Sequence, residues 1–335
     1  MKVAIIGAGF GKYAVAPVFE KLGMETLVVT PRDEAAVAQA IASDADLVSV
    51  HSPPFLHVRH VMAALAEGKH VLCDKPFGVS GAEARAMRDA AVKAGVLHFA
   101  NLEMRNKPVR ARILELVRGG AIGAPKHLSW TFLSNGFRGG THGWVHEAAM
   151  GGGWINAYGS HLIDFMRGLF DSEVADCGGV SRIDWVTRKD RDGVEREATA
   201  EDGYSAWFVM ANGATVAHDT GYCAPVPLPS RVTVTGTQGA IEVINDTKLS
   251  ISSAVNIDGL DAAERIRRGL LAGEGDAVED FTPAPGEAHE PSLLPWLRQV
   301  KEALETGTQI RPSLEDAVKV AEAMDLLRTN MRRVQ

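Results

Sequence analysis

The segment from residue 46 to residue 76 constrains the fold more than any other part of the chain. It reads as an apolar strand, a loop, an amphipathic helix and a second apolar strand, and it ends in Asp74-Lys75-Pro76. Two strands joined through a helix favour a parallel pair with a right-handed crossover. This arrangement leaves Lys75 at the carboxyl end of a parallel strand, where ligands bind in open α/β sheets. Because a proline follows Lys75, the peptide bond between them can be cis.

The same alternation extends through the first 120 residues. The short apolar runs that we predict to be strands are residues 2–6, 26–29, 46–50, 71–73 and 96–100. Helical patterns separate these runs, and such alternation implies a doubly wound parallel sheet. We therefore predict an α/β Rossmann domain over residues 1–122.

The sequence pattern changes in the second part of the chain. The segments that read as strands are residues 127–133, 204–210, 214–218, 231–235 and 239–244. Asn212-Gly213, between two of them, is a strong hairpin signal. Helical patterns cover residues 293–305 and 314–332, and residues 254–290 read as a long loop. We predict an α+β domain over residues 123–335, with a large open, mostly antiparallel sheet.

The charge and the cysteine content of the chain argue against several classes of partner. Its 335 residues carry a formal net charge of −7 with scattered basic residues, which argues against nucleic acid or an anionic membrane as the main partner. No apolar run approaches the roughly 18 residues that a membrane helix needs, and no secretory signal precedes the first strand. Cys73, Cys177 and Cys223 fit neither a metal site nor a disulfide framework. These features predict a cytoplasmic protein.

A glycine-rich loop follows the first predicted strand and opens a helix. Gly7, Gly9 and Gly11 permit a tight turn and a close approach of the backbone to a pyrophosphate, which the helix N-terminus also attracts. In the usual G-x-G-x-x-G fingerprint the third glycine comes one residue later, at the position of Lys12. We predict that this loop, including Phe10, binds a dinucleotide; the alternative is a cluster of turn glycines without a ligand.

The end of the second predicted strand discriminates between NAD and NADP. An acidic residue about 20 positions after the glycines binds the ribose 2′-hydroxyl of NAD. This chain has Thr30 there and Arg32 two residues on, and a guanidinium suits a 2′-phosphate. We therefore expect NADP(H) to be favoured over NAD(H). The alternative is that Arg32 is a solvated residue at a helix start and that Asp33 only caps that helix.

Three motifs resemble the glucose–fructose oxidoreductase and inositol dehydrogenase family over nearly the whole chain. They are the glycine loop, then Ser52-Pro53-Pro54-x-x-His57 with residues 68–76, and finally Gly151-Gly152-Gly153-Trp154 with residues 159–164; Arg105 and Pro108 fit more weakly. The resemblance implies an NAD(P)-dependent oxidoreductase with an NAD(P)-binding Rossmann domain over residues 1–122. It also implies that the second domain, residues 123–335, has a large open sheet and serves substrate binding and oligomerisation. The loop and the motifs together give these candidate cofactor-binding residues: Gly7, Gly9, Phe10, Gly11, Thr30, Arg32, Ser52, Pro53, His57, Asp74 and Lys75.

The catalytic candidates are Lys75 and His161. The resemblance implies that the lysine of the family's Glu-Lys-Pro motif, with Asp74 in place of the glutamate here, hydrogen-bonds the reacting hydroxyl. Such a lysine stabilises negative charge that develops on the oxygen. His161 starts a helical pattern after a glycine-rich loop and is a candidate base for the hydroxyl proton. The alternatives are a surface lysine and a histidine that caps or packs.

One departure from the family concerns the surroundings of the histidine. Many members have an aspartate four residues before it, and this chain has Ala157 there, which does not fit a simple His–Asp proton relay. Asp164, three residues after His161, either orients the ring or is a structural helix residue.

Candidate substrate contacts come from three parts of the chain. The resemblance places Trp144 at the border of the pocket, where it would form an apolar wall. Arg105 and Arg138 are candidate anchors for an anionic or polyhydroxylated substrate, with solvated arginines as the alternative, and Asn156 is a further candidate.

His142 and His146 have a spacing that also suits metal ligation. No third ligand is evident from the sequence, so we predict no metal site.

These assignments predict hydride transfer between nicotinamide and a carbinol carbon of a sugar, polyol or related small molecule. Two alternatives stay open: a redox-neutral glycosidase or lyase that retains its cofactor, and a non-catalytic nucleotide-dependent sensor. The exposed face of the second sheet predicts a homodimer or a homotetramer.

Overall fold

The first sheet consists of five parallel strands. In the computed structural model, which describes residues 1–254, 259, 261–269, 277–284 and 289–334, their order is β2-β1-β3-β4-β5. The strands are β1 (Lys2–Ile6), β2 (Glu25–Val29), β3 (Leu47–Val50), β4 (His70–Asp74) and β5 (His98–Asn101). The helices between them are α1 (Ala16–Lys21), α2 (Glu34–Ile41), α3 (His57–Ala66) and α4 (Gly81–Ala94). The prediction of a doubly wound parallel sheet is confirmed.

Local side-chain chemistry sets the ends of two of these helices. Asp33 caps α2 by accepting a hydrogen bond from the Ala36 N–H at 3.0 Å. Ser80 caps α4 by accepting one from the Glu83 N–H at 3.3 Å. Gly95 ends α4 in the left-handed conformation, with φ of +65°. The chain therefore enters α2 and α4 through fixed turns beyond the carboxyl ends of β2 and β4.

The second sheet is mostly antiparallel, which confirms the predicted α+β domain. Its nine strands, in spatial order, are β15 (Ala277–Asp280), β14 (Lys248–Ser253), β13 (Gly239–Ile244), β12 (Arg231–Gly236), β6 (Pro125–Leu133), β11 (Thr215–Gly221), β10 (Gly203–Met210), β7 (Val174–Arg182) and β16 (Met331–Arg333). A separate hairpin pairs β8 (Thr187–Lys189) with β9 (Glu195–Glu197). The remaining helices are α5 (Pro108–Arg118), α6 (Ser160–Phe170), α7 (Ala262–Gly269), α8 (Glu290–Thr306) and α9 (Leu314–Asn330).

The predicted hairpin is present, but the predicted long loop is wrong in part. Gly213, with φ of +84°, turns the chain between β10 and β11. Residues 254–290 contain α7 and β15, and the positions 255–258, 260, 270–276 and 285–288 lie outside the described residues. Residues 277–280 form strand β15 because they pair with β14. The sequence of these four residues alone does not indicate that pairing. Similarly, α9 ends at Asn330 rather than at residue 332, because residues 331–333 pair with β7.

A helix from the end of the chain completes the core of the first sheet. One face of this sheet and α8 contribute to a single buried cluster that includes Val3, Ile5, Leu72, Phe99, Leu293, Trp296, Leu297 and Val300. The other face shares a continuous core with α6, α9 and the inner face of the second sheet. The domain boundary near residue 122 stays a prediction, since α8 returns to the first sheet.

None of the helices in the described part of the chain has the length and apolar character to cross a membrane. All three cysteines are free and buried. The cytoplasmic location stays a prediction.

Candidate functional site

A hydrogen-bonded network joins the carboxyl ends of β3, β4 and β5. The Asp74 carboxylate lies 3.0 Å from His51 Nδ1 and accepts hydrogen bonds from the Asn101 amide at 3.0 Å and the Lys75 N–H at 2.9 Å. His51 Nε2 lies 2.8 Å from the Ser49 hydroxyl. Burial raises the pKa of Asp74, but the His51 ring, Lys75 and the Asn101 amide outweigh it and hold this pKa well below its usual range. Asp74 is therefore an ionised, fixed group beside Lys75.

Lys75 extends from the first sheet to the second domain. Its bond to Pro76 is cis, and its Nζ donates a hydrogen bond to the Ala157 carbonyl oxygen at 3.0 Å. Ala157 lies in a π-helical turn, Ile155–Gly159, directly before α6. Many members of the resembled family have an aspartate at the position of Ala157. In this protein the backbone carbonyl of Ala157 accepts the hydrogen bond from Lys75.

His161 lies one helical turn after Ala157, in the first turn of α6, and is 4% exposed. Burial lowers the pKa of His161 well below its usual range, and the positive charges of Lys75 and Arg110 act in the same direction. The imidazole is therefore neutral at neutral pH. Its Nδ1 is buried without a hydrogen-bond partner among the described residues. The structure thus brings a half-buried lysine and a neutral histidine, the two predicted catalytic residues, to the same junction.

Asp164 pairs with Arg105 rather than with His161. Arg105 Nε donates to one carboxylate oxygen of Asp164 at 2.9 Å, and Nη2 donates to the other. Asp164 is 2% exposed, so this bidentate pair is almost entirely shielded from water on the carboxylate side. It connects the turn after β5 to α6. Arg105 is therefore engaged within the protein, and its contact with a substrate stays a prediction; Asp164 bonds to Arg105 rather than to the histidine.

The loop between β3 and α3 supports the backbone around Lys75. His57 is fully buried, with Nε2 2.6 Å from the Ser52 carbonyl oxygen and Nδ1 2.8 Å from the Pro76 carbonyl oxygen. It therefore links this loop, which includes Pro53, to the cis-proline turn. Direct cofactor contacts of Ser52, Pro53 and His57 stay predictions.

The glycine loop leaves open space next to its second glycine. A Cβ added at Gly9 would meet no atom of the described residues within 4 Å. At Gly7 it would lie 2.7 Å from the His51 carbonyl oxygen, and at Gly11 2.9 Å from the Ile5 side chain. Packing therefore requires the first and third glycines, whereas the second leaves the backbone open to a group outside the loop. This geometry fits a dinucleotide pyrophosphate at the start of a helix.

The early third glycine is accompanied by a π-helical turn, Gly11–Val15, directly before α1. A π-turn accommodates one extra residue, so it offsets the residue missing from the usual glycine spacing. Phe10, in the same loop, packs its ring 5.2 Å from the ring of His289, which precedes α8.

Thr30 and Arg32 are exposed beyond the end of β2. No carboxylate of the described residues forms an ion pair with Arg32, whose N–H lies 3.5 Å from the Thr30 hydroxyl. Asp33 is the cap of α2, as the alternative interpretation held for that residue. The Arg32 guanidinium is thus available to an added phosphate, and a preference for NADP stays a prediction.

Asn156 supports the triple-glycine loop. Its amide donates to the carbonyl oxygens of Gly151 and Gly152 at 2.9 and 3.2 Å, and its Oδ1 accepts a hydrogen bond from Arg328. Both ends of the side chain are thus engaged in structural contacts, and the predicted substrate contact is untested.

The other predicted pocket residues lie between β6 and α6. Trp144 is partly exposed in a 3₁₀ turn that ends at His146, and its contact with a substrate stays a prediction. Arg138 stacks on Trp185, with its guanidinium carbon 4.6 Å from the ring centroid. The rings of His142 and His146 lie 5.3 Å apart. Within the described ranges, no group of three or more His, Cys, Asp or Glu side chains is arranged to hold a metal.

Sequence reasoning missed three buried polar residues near Lys75, namely His51, Asn101 and Glu103. They lie at or just after the carboxyl ends of β3 and β5. The signal was available, because a polar residue at the end of an apolar strand is the same feature that identified Lys75.

Comparison with known proteins agrees with this geometry. Residues 18–102 match the model described as "Oxidoreductase family, NAD-binding Rossmann fold", and residues 111–242 match the "GFO/IDH/MocA C-terminal domain". The first match begins after the shortened glycine loop.

Two curated relatives illustrate the range of similarity. D-xylose 1-dehydrogenase (NADP(+)) 2 of Haloferax volcanii is 28% identical over 98% of this chain and 96% of its own length. Levoglucosan dehydrogenase of Pseudarthrobacter phenanthrenivorans is 27% identical over 50% of this chain and 51% of its own length. Several of the curated relatives are thus matched over only about half of their length.

Solved structures share the fold. A levoglucosan dehydrogenase in complex with NADH and L-sorbose superposes with a TM-score of 0.80 at 20% identity, over 98% of this chain and 96% of the other. Both sheets, the two family matches and the strand-end lysine lead to one assignment: this chain belongs to the GFO/IDH/MocA family of oxidoreductases.

Proposed function

We propose that this protein transfers a hydride between a nicotinamide cofactor and a carbinol carbon of a sugar or polyol. The observation that carries the proposal is the position of Lys75, whose Nζ bonds to the Ala157 carbonyl oxygen directly before the helix that bears His161. The relatives named above support the substrate class, because they are dehydrogenases of D-xylose and levoglucosan.

Lys75 would bind the oxygen of the reacting carbon. Its ammonium has three N–H donors, and among the described residues the Ala157 carbonyl at 3.0 Å accepts from one of them. A second N–H can therefore donate to a substrate hydroxyl. As the carbon–hydrogen bond breaks, negative charge develops on that oxygen, and a fixed cation beside it lowers the barrier.

His161 would accept the hydroxyl proton. The ring is neutral because burial and two nearby cations lower its pKa, so one nitrogen has a free lone pair. In the reverse direction the protonated ring would return the proton to the carbonyl oxygen. A low pKa makes the imidazolium a strong acid, which favours this return.

The cofactor would lie along the glycine loop and end near Lys75. When bound, its nicotinamide supplies or accepts the hydride. We further propose a preference for NADP(H), with the exposed Arg32 and the Thr30 hydroxyl contacting the 2′-phosphate. The relatives differ here, since one name includes NADP(+) and the solved levoglucosan dehydrogenase complex named above contains NADH.

The outer face of the second sheet supports a further proposal, a homodimer or homotetramer. Trp207 on β10 is 46% exposed and Val180 on β7 is 39% exposed, which are large apolar side chains for a solvent-facing surface.

Turnover of sugars by matched lysine variants tests the proposed reaction. The purified protein would be assayed with NADP⁺ and NAD⁺ on D-xylose and levoglucosan, the compounds named for the relatives. Lys75→Met should reduce kcat by about 10²–10³-fold, the effect of losing one preorganised donor to a developing oxyanion. Lys93→Met, at an exposed position in the last turn of α4, is the matched control and should retain full activity. Turnover by Lys75→Met within tenfold of the unmodified protein would refute the assignment.

A further inference from the structure

Glu103 is a buried carboxyl at the same sheet edge as Lys75. It begins the 3₁₀ turn Glu103–Asn106 directly beyond β5 and is 3% exposed. Strand β5 lies next to β4 with Asn101 in register with Asp74, so Glu103 is two residues beyond the amide that binds Asp74. Among the described residues no group hydrogen-bonds to Glu103 Oε2, which is itself buried.

A carboxyl in this position resists ionisation. A buried, ionised carboxylate with one oxygen lacking a hydrogen-bond partner is costly, so such a group keeps its proton unless other interactions compensate. Burial and, after it, the negative charge of Asp74 raise the pKa of Glu103 to about 7, while Lys75, the Glu103 backbone N–H and Arg110 act in the opposite direction. Because Asp74 is ionised throughout the neutral range, the two carboxyls behave as a like-charge pair in which Glu103 holds the proton.

We propose that Glu103 is a positioning residue that acts through Lys75. When Glu103 is protonated, the Lys75 ammonium stabilises negative charge on the substrate oxygen. When Glu103 is ionised, its negative charge weakens this stabilisation. This inference rests on the proposed function of Lys75. The geometry behind it is the shared sheet edge, the burial of the carboxyl and its unpartnered oxygen.

The charged groups that act on Glu103 are Asp74 and Lys75 at the end of β4 and Arg110 on α5. Three rings lie around these groups: His51 beyond β3 contacts Asp74, and His161 on α6 and His289 at the start of α8 lie near Lys75. Arg105, on the same turn as Glu103, is already paired with Asp164. Burial lowers the pKa values of His161 and His289, so both rings are neutral at pH 7 and above. Of Asp74, Glu103, His161 and His289, it is therefore Glu103 whose charge changes near pH 7.

The direction of the effect follows from charge balance. With Glu103 protonated, Asp74 is the one anion beside the Lys75 cation. Ionisation of Glu103 adds a second anion, which opposes the negative charge that develops on the substrate oxygen. Activity that depends on Lys75 should therefore fall as pH rises through about 7, and Glu103→Gln, which cannot ionise, should not show this fall.

The first experiment observes the proton directly, without substrate or cofactor. The full chain, labelled with ¹³C at the glutamate carboxyls, would be titrated by NMR. One carboxyl should titrate near pH 7 and be absent from Glu103→Gln. Glu201→Gln is the matched control, because burial also raises the pKa of Glu201, yet its Oε1 accepts a hydrogen bond from the Ile155 N–H at 2.9 Å. No titration near 7, or one that persists in Glu103→Gln, would overturn the proposal.

The second experiment measures the effect on Lys75. The ratio of kcat/KM of Glu103→Gln to that of the unmodified protein should be near 1 at about pH 6 and rise roughly 30-fold at about pH 8.5, the effect of one charge at about 8 Å and an effective dielectric constant of about 20. Glu67→Gln, an exposed residue after α3, should give a flat ratio. A flat ratio for Glu103→Gln would overturn the proposal, whereas a merely structural role would lower its activity equally at all pH values.

Two outcomes separate this inference from the proposed function. A protein that turns over no sugar with either cofactor refutes the proposed function, and the carboxyl titration still decides whether Glu103 holds a proton. If Glu103→Gln does not fold, Asp74→Asn replaces it: removal of the neighbouring anion should shift the Glu103 titration to lower pH. An unshifted titration would overturn the coupling.

Discussion

The loop between β1 and α1 offers two matched substitutions, Gly7→Ala and Gly9→Ala, that should have opposite effects. Each adds one methyl group to the same loop. At Gly7 the methyl would lie 2.7 Å from the carbonyl oxygen and 2.8 Å from the Cβ of His51. At Gly9 it would meet none of the described residues within 4 Å. The first variant therefore tests packing inside the protein, and the second tests the space that a bound pyrophosphate would fill.

The expected stabilities follow from these contacts. Overpacking costs about 1–3 kcal/mol, and the stiffer unfolded chain of an alanine variant returns about 0.4–1 kcal/mol. Gly7→Ala should therefore lower the free energy of unfolding by about 1–2 kcal/mol, because the His51 backbone is held by its N–H bond to the Ile6 carbonyl oxygen at 2.9 Å and cannot yield freely. Gly9→Ala should leave the free energy of unfolding unchanged or raise it by up to about 1 kcal/mol.

Addition of cofactor should stabilise Gly7→Ala much more than Gly9→Ala. At a concentration 100 times the dissociation constant, a ligand of the folded state stabilises it by about 2.7 kcal/mol. If the methyl group at Gly9 weakens binding about 100-fold, the gain at the same concentration falls to about 0.4 kcal/mol. Gly7→Ala keeps the open space at Gly9, so its folded state should still bind the cofactor. This variant should therefore retain most of the stabilisation of about 2.7 kcal/mol, close to that of the unmodified protein.

Thermal melting of each protein, with and without NADP⁺, measures both effects in one assay. The unmodified protein gives the reference shift, and NAD⁺ at the same concentration reports the cofactor preference. A full NADP⁺ shift in Gly9→Ala would refute the placement of the pyrophosphate at this loop. Unchanged stability of Gly7→Ala would refute the packing role of the first glycine.

The Arg105–Asp164 pair and Arg32 give two further predictions. Asp164→Asn should cost about 2–4 kcal/mol in chemical denaturation, somewhat less than a fully buried pair, because the Arg105 side chain is 25% exposed. A double-mutant cycle with Arg105→Ala should show a coupling above about 1 kcal/mol, and a coupling near zero would contradict the bidentate contact. Arg32→Ala should reduce the NADP⁺ melting shift and leave the NAD⁺ shift unchanged, because only NADP⁺ carries the 2′-phosphate. If the NADP⁺ shift of Arg32→Ala equals that of the unmodified protein, the proposed role of Arg32 is contradicted.

The first sheet was predictable from sequence because four of its strands, all except the edge strand β2, are buried on both faces and read as short apolar runs. The strands missed in the second sheet have weaker patterns. Strand β7 contains Gly178-Gly179 and an exposed Asp176, so neither composition nor alternation identifies it. The four residues of β15 and the three of β16 are strands only through their neighbours, since pairing with β14 and β7 fixes them.

The candidate site was predictable where a residue's position along a strand determines its environment. Lys75 follows a buried strand, and its location at the sheet edge follows from topology. The partners of Arg105, Asn156 and Asp164 come from elsewhere in the chain, so the sequence did not show that all three are engaged within the protein. The position of Glu103 just beyond β5 could be read from the sequence, but its burial could not, because the helices that pack against its turn follow it in the chain.

The return of α8 to the first sheet affects the order in which this protein acquires its structure during synthesis. Strand β5 and α8 are separated by residues 102–289, which a ribosome adds in about 10–40 s at typical rates of about 5–20 residues per second. During that interval the face that includes Val3, Leu72 and Phe99 lacks the helix that buries it. The nascent chain thus presents an uncovered apolar surface, which chaperones bind and which drives aggregation. A fragment truncated before residue 290 would keep this surface permanently, so the nucleotide domain is complete only when the last part of the chain has been translated.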